Sequence, residues 1–369
     1  MLVEERRTMV ADPARLTATE AVRLIRAEKL SPVTLMEACL ARMAAREPTV
    51  RAMAHVDPQQ VLKAAAAASG TQARLCGLPV GVKDVLDTAD FPTEYNSPIW
   101  QGHRPKADCA AVAWTRAEGG VVVGKTVTTE FATRHPGPTT NPHNSEHTPG
   151  GSSSGSAAGV ADYFFPVAFG TQTAGSIIRP AAFCGVVGYK PTFGMISRIG
   201  MKLMADSLDT VGVLARSVAD CAFLAGAVAG RDLGDPDRHP GRTPRIGVCR
   251  TPFWESADAP TQALLERVTG VLARAGASVQ ARELPATYAA LREAQPLVMN
   301  AESARALGWE MTTRRDMLSD TLRERLEWGL AQPASAVDSA RTMFAILQAQ
   351  FPVAMEDIDI LLTPSAPGE

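Results

Sequence analysis

Gly150-Gly151-Ser152-Ser153-Ser154-Gly155-Ser156 and Gly170-Thr171-Gln172-Thr173-Ala174-Gly175-Ser176 are the two stretches on which the reading of this chain turns. Each sets hydroxyls among residues with almost no side chain, which leaves backbone N–H groups open to an approaching ligand. Ser152 and Ser176 stand twenty-four positions apart. Upstream, Gly81-Val82-Lys83-Asp84 puts a lysine at the end of an apolar run. These are the parts of a serine nucleophile activated through a second serine by a lysine, an alternative to the Ser-His-Asp arrangement for opening an amide.

Working outward, the flanking segments alternate between helical and strand patterns. Thr17-Ala18-Thr19-Glu20 is a capping box that opens a helix through Val22, Leu24 and Ile25. Ser31 with Pro32 caps a second helix over Val33 to Arg46, and Pro58 to Ala68 reads as a third. Leu78 to Val82 and Val121 to Val123 are short, branched and apolar, as buried strands are, with a helix over Ala107 to Glu118 between them. From Pro136 to Gly159 periodicity disappears, and a structureless stretch of that length implies a site. Phe164 to Gly170 resumes as a strand, and Ser217 caps a helix to about Gly230. After the polar loop Asp232 to Pro244, Arg245 to Cys249 and Ile358 to Leu362 are further strands. Such alternation predicts an α/β layer architecture.

Three local patterns match known motifs without their physics. Gly119 to Thr126 satisfies the P-loop spelling, but three valines occupy the loop where backbone amides should wrap a phosphate. A strand ending in a Gly124-Lys125-Thr126 turn accounts for it. His143-Asn144-Ser145-Glu146-His147 spells a zinc pattern that needs a helix, and Pro142 and Pro149 bracket it. Gly151-Ser152-Ser153-Ser154-Gly155 matches a nucleophile elbow centred on Ser153, yet loop formers precede it where a strand belongs. That elbow also needs a late histidine, and only His239 follows.

Composition narrows the remaining classes. The formal net charge is −2 over 369 residues, with no long run of like charge, so nothing favours nucleic acid or an anionic membrane as partner. The six cysteines at 39, 76, 109, 184, 221 and 249 form no CxxC pair and read as reduced core residues of a cytoplasmic protein. Met1 to Arg15 is charged and lacks the apolar region of a signal peptide.

Taken together, Gly77 to Asp84, Gly124-Lys125-Thr126 with Glu130-Phe131-Ala132, Thr148 to Ala158, Gly170 to Gly185, Gly188 to Thr192 and Ser207-Leu208-Asp209 resemble the amidase signature family, in order, from about Leu16 to Asp235 and more thinly to the end. The resemblance implies one large α/β/α domain with a mixed central sheet flanked by helices. Its parts would be N-terminal helices over 1–70, a catalytic core over 71–235 and a C-terminal part over 245–369. It implies that Ser176 attacks the substrate carbonyl, Ser152 relays the proton and Lys83 is the ultimate base. The backbone N–H groups of Thr173, Ala174, Gly175 and Ser176 would form the oxyanion hole, with Thr171 and Ser154 in support and a cis peptide between Gly151 and Ser152. No cofactor or metal is implied. Family members usually carry glycine at 174, and alanine there loses easy access to positive φ.

Many relatives read Asp-Thr-Gly-Gly-Ser-Ile-Arg, whereas here Arg179 follows the nucleophile by three residues. That is similar to malonamidase-like members, in which the matching arginine holds a substrate carboxylate, a partner suited to a guanidinium fork. The expected substrate is a small amide bearing an acid group; the other role for Arg179 is a structural ion pair. Two further readings remain: the glutaminase subunit of a tRNA-dependent amidotransferase, against which Gln172 and the displaced arginine argue, and an inactive member serving as a binding protein. Relatives continue past the segment resembling Asp359 to Pro367, so the C-terminal part is expected to be incomplete, with an apolar face that invites a homodimer.

Overall fold

The computed structural model describes residues 12–238 and 241–368. His239 and most of the Met1–Arg15 segment lie outside the described residues. The chain divides into two compact units, 1–236 with 312–322, and 237–311 with 323–369.

The first unit is built on a six-stranded mixed sheet. Its strands are β1 (Met53–Val56), β2 (Pro79–Lys83), β3 (Val121–Thr126), β4 (Val167–Gln172), β5 (Val187–Tyr189) and β6 (Thr210–Ala215), in the order β1-β3-β2-β4-β6-β5. β2 runs parallel to both β3 and β4, while the outer pairings are antiparallel. Val80, Val82, Val167, Phe169, Val211 and Val213 are fully buried. This two-sided burial explains why the strands read as continuous apolar runs rather than alternating ones. The helices are α1 (Ala18–Arg26), α2 (Pro32–Val50), α3 (Pro58–Ala67), α4 (Ala110–Ala117), α5 (Ser154–Ala161), α6 (Ile178–Phe183) and α7 (Val218–Ala229). The expected caps are present: Thr17 and Glu20 form the capping box of α1, and Ser31 accepts from Thr34 N at the start of α2.

Two expectations are corrected. Gly124-Lys125-Thr126 is no turn; β3 continues through Thr126, with a register shift against β2 just before Gly124 and another against β1 opposite Lys125 and Thr126. Nor is the stretch from Pro136 to Gly159 structureless throughout, because α5 begins at Ser154. Residues 154–160 of that helix are all buried, so it has no polar face and no helical period to read. Small residues let it lie close to the sheet: a Cβ on Gly155 would stand 2.1 Å from the Ala52 carbonyl oxygen. Ser156 ties α5 to both neighbouring strands, sharing a hydrogen bond with the Thr126 hydroxyl (2.6 Å) and donating to the Phe169 carbonyl (2.8 Å).

The second unit carries a parallel three-stranded sheet, β7 (Arg245–Val248), β8 (Ser278–Ala281) and β9 (Ile360–Leu362), in the order β8-β7-β9. With it go α8 (Ala259–Arg274), α9 (Leu291–Ala306) and α12 (Ala334–Ala354). α10 (Gly308–Thr313) and α11 (Asp320–Leu330) each run across a boundary between the units. The six cysteines are free and buried, and no helix among the described residues is long and apolar enough to cross a membrane.

Candidate active site

The site lies beyond the carboxyl ends of β2 and β4, where parallel strands commonly present ligand-binding groups. Their register pairs Val82 with Phe169, which carries Lys83 and Thr171 past the last pairing on adjacent strands. Lys83 is fully buried. Its Nζ lies 2.7 Å from the Ser152 hydroxyl, 2.8 Å from the Thr171 hydroxyl and 3.4 Å from the Thr171 carbonyl oxygen. No carboxylate among the described residues pairs with it. Burial lowers its pKa to about 7; the more distant charge of Asp209 opposes that shift and Arg179 adds to it.

Ser152 is held from both sides. The peptide before it, Gly151–Ser152, is cis, as the resemblance implies. Its carbonyl accepts from Thr129 N (3.2 Å), and the Gly151 carbonyl accepts from Arg179 Nε (3.1 Å) and Nη2 (2.9 Å). Ser153, the centre of the elbow pattern, is wholly buried. Its hydroxyl faces the Thr171 backbone, accepting from the amide (3.2 Å) and lying 3.3 Å from the carbonyl. It is packed into the structure rather than presented to a substrate. Ser154, expected in support, donates from the start of α5 to the Val127 carbonyl (3.3 Å).

Ser176 is joined to this cluster through its backbone, whose carbonyl accepts from Ser153 N at 3.2 Å. The residue is buried but for a small exposed part (7 %), and its hydroxyl has no hydrogen-bond partner among the described residues. None of the backbone N–H groups of Thr173, Ala174, Gly175 and Ser176 donates to another described residue. Four consecutive unpaired donors beside a hydroxyl are what a developing oxyanion requires. Ala174 is absent from the residues with positive φ, so alanine fits this turn without the freedom of glycine.

Two residues that the sequence marked only in passing complete the loop. Gln172, at the end of β4, accepts from Ile177 N (2.9 Å) and Ile178 N (3.0 Å) and donates through Nε2 to the Ala174 carbonyl (2.8 Å). Asp209 accepts from the Thr173 hydroxyl and from the backbone N–H groups of Met204 (2.7 Å) and Ala205 (3.0 Å). Its pKa is raised because burial outweighs those three donors.

Arg179 forms no ion pair among the described residues. With two nitrogens on the Gly151 carbonyl, its Nη1 lies toward Gly175, 3.4 Å from where a Cβ on that residue would stand. Asp84 points away from the site. Its Oδ1 is 3.0 Å from Lys125 Nζ, a charge contact without hydrogen-bond alignment, and both side chains are buried. Lys125 is thereby committed to the sheet, which disposes of the P-loop spelling. His143, of the zinc spelling, pairs a ring nitrogen with the Cys184 carbonyl (2.9 Å). A separate cavity of about 620 Å³, lined by Asn96, Glu130, His135 and Ser319 among others, contains none of the three candidate catalytic side chains.

This geometry can be set beside known proteins. The family model for amidases matches residues 34–369. A subunit of the glutamyl-tRNA(Gln) amidotransferase from Chloroflexus aggregans is 35 % identical over 95 % of this chain and 82 % of its own length. A crystal structure of an amidase superposes with a TM-score of 0.87 at 29 % identity, covering 95 % of this chain and 82 % of that one. The native peptide amidase from Stenotrophomonas maltophilia gives 0.77 at 31 % identity, over 95 % and 85 % of the two chains.

Proposed function

The chain belongs to the amidase family of amide-hydrolysing and amide-transferring enzymes, and on that premise we propose that it cleaves the C–N bond of a small amide through an acyl-enzyme on Ser176. Ser176 Oγ attacks the amide carbonyl carbon as its proton passes to Ser152 Oγ, whose own proton passes to neutral Lys83 Nζ. The carbonyl oxygen becomes an oxyanion facing the N–H groups of 173–176, each such donor being worth about 3 kcal/mol of barrier. Collapse breaks the C–N bond, and the departing amine takes the proton back from Lys83 through Ser152. Water then attacks the acyl-enzyme by the same route in reverse, releasing the acid and restoring Ser176.

The observation that carries this reading is the fully buried Lys83 within hydrogen-bond reach of Ser152 and of no described carboxylate. A lysine in that setting sheds its proton near neutral pH, and a base must be unprotonated to act. The unpartnered hydroxyl of Ser176 is what a nucleophile needs on the substrate side. Its contact with Ser152 is expected to close when substrate binds, since catalytic hydrogen bonds often tighten only in the complex.

For the substrate, Arg179 favours an amide that also bears a carboxylate, such as a malonamate-type compound. It carries a charge without a counter-ion among the described residues, with its guanidinium on the Gly151 carbonyl and Nη1 toward Gly175, the residues that precede the two serines. Glutamine meets the same description. The identity to the Chloroflexus amidotransferase component specifically favours a second reading, in which this chain is the glutaminase subunit of a tRNA-dependent amidotransferase. The two readings share the chemistry and differ in the partner. Hydrolysis of malonamate by the isolated chain supports the first, and glutamine hydrolysis that needs a co-purifying protein supports the second. The chemistry itself is tested by peptide mapping after treatment with a fluorophosphonate. A label on Ser176 is expected; a label on Ser153, or none, refutes the mechanism.

A further inference from the structure

We propose that Gln172 is a positioning residue that aims the oxyanion hole, by holding the Ala174–Gly175 peptide so that the Gly175 N–H points at the substrate. The inference rests on the proposed function, in which the N–H groups of 173–176 receive the oxyanion.

The geometry is specific. Gln172 ends β4 and is 8 % exposed, so its amide is confined between the strand and the loop that follows. Oε1 accepts from two successive backbone amides, Ile177 N at 2.9 Å and Ile178 N at 3.0 Å, at the start of α6. These are among the groups that a helix leaves unpaired at its first turn, and no side chain at the cap position serves them. Nε2 donates to the Ala174 carbonyl at 2.8 Å. One planar amide thus spans both sides of Ser176, fixing the chain before it and after it.

The consequence follows from peptide planarity. In a trans peptide the C=O of one residue and the N–H of the next point in opposite directions. Holding the Ala174 oxygen against Gln172 therefore directs the Gly175 N–H to the other side of the loop. Gly175 has no Cβ to resist rotation of that peptide, so without the Gln172 bond the unit is free to turn and withdraw its donor. A carboxylate at 172 would serve the two N–H groups equally well but cannot donate to the Ala174 carbonyl. The amide is the group that does both.

The test uses the full chain, a fluorophosphonate as probe and the variants Gln172→Glu and Gln172→Met. Phosphonylation places an oxygen in the same hole, so its rate reports the alignment of the donors, while its end point counts competent sites. Gln172→Glu retains both acceptor bonds to 177 and 178 and loses only the donor; Gln172→Met loses both kinds while keeping the length. Wild type is mapped first, and a label elsewhere than Ser176 fails the functional reading before Gln172 is tested. With Ser176 labelled, both variants are expected to reach full end-point labelling at a rate about tenfold to a hundredfold below wild type, since loss of a whole oxyanion donor costs about 10²–10³. A merely structural role lowers the end point and leaves the rate per labelled site unchanged. A Gln172→Glu rate within twofold of wild type, or a deficit that disappears when rates are expressed per titrated Ser176, overturns the proposal.

Discussion

On the proposed mechanism, lowering the pH across the neutral range removes the base from this site, and the size of the effect can be worked out from the burial of Lys83. A lysine with a pKa of about 7 is half neutral at that pH. At pH 5 about one molecule in a hundred carries it neutral, so kcat/KM falls about a hundredfold from its plateau, tenfold per unit. Above pH 8 the plateau is reached. The sign follows from the direction of the shift: burial disfavours the ammonium, so activity is lost as pH falls through 7 rather than as it rises. An ordinary lysine, at about 10.4, would instead leave the rate climbing tenfold per unit through pH 9. The assay is amide hydrolysis, or the second-order rate of phosphonate labelling, from pH 5 to 10 and expressed per titrated site. Asp209→Asn supplies the control, because the Asp209 charge favours the Lys83 ammonium and its removal must move the limb to lower pH. A limb centred at pH 9 or above in the wild type, or one that Asp209→Asn moves upward, would falsify the assignment of Lys83 as base.

The same lysine makes stability depend on pH. Between about pH 7 and pH 10.4 the unfolded chain binds a proton that folded Lys83 does not, so stability rises by about 1.4 kcal/mol per unit. Lys83→Met should remove that slope, and urea titrations at pH 7.5 and 9 with parallel slopes for both proteins contradict it. Arg179→Ala should lower kcat/KM for malonamate about tenfold or more relative to an uncharged amide of the same length, as expected for loss of a charge-assisted bond. An unchanged ratio removes the carboxylate role. Asp84→Ala leaves Lys125 buried and without its carboxylate and should cost about 3–5 kcal/mol in a denaturation experiment, while pairing it with Lys125→Met should recover most of the loss.

The strands of the first unit were legible because a sheet buried on both faces leaves an unbroken apolar run. Leu78 to Val82 and Val121 to Val123 announce β2 and β3 in that way. The residues after Val123 read as a turn for a local reason: glycine, lysine and threonine suit turns in isolation, but here each is accommodated by a long-range neighbour. Gly124 lies against the β1 backbone, Lys125 meets Asp84, and Thr126 bonds Ser156. α5 was hidden for the opposite reason, since a helix buried on every side has no amphipathic period. At the site, the spacing of Ser152 and Ser176 and the apolar run before Lys83 were visible along the chain. The roles of Gln172 and Asp209 were not. Gln172 acts across the loop that follows it, and Asp209 reaches Thr173 over thirty-six residues. Neither side chain carries a local pattern that says so.

The two lysines at the ends of β2 and β3 show what decides chemistry once burial is equal. Both are wholly inaccessible, on adjacent parallel strands. Register pairs Lys83 with Thr126, which sets Lys125 one residue back and therefore on the opposite face of the sheet. On that face Lys125 finds the Asp84 carboxylate, the Thr93 hydroxyl and the Pro92 carbonyl; burial lowers its pKa too, but the Asp84 carboxylate works against that shift. On the other face Lys83 finds the hydroxyls of Ser152 and Thr171 and a carbonyl, none of them charged. Hydroxyls can donate to a neutral amine as readily as they accept from an ammonium, so they leave the protonation state open where a carboxylate favours the ammonium. The adjacent Asp84 would have been the natural partner for Lys83 on sequence distance alone. The pleat of the strand turns it away, and that one-residue alternation leaves a lysine in the core beside hydroxyls instead of a carboxylate, with a proton it can give up.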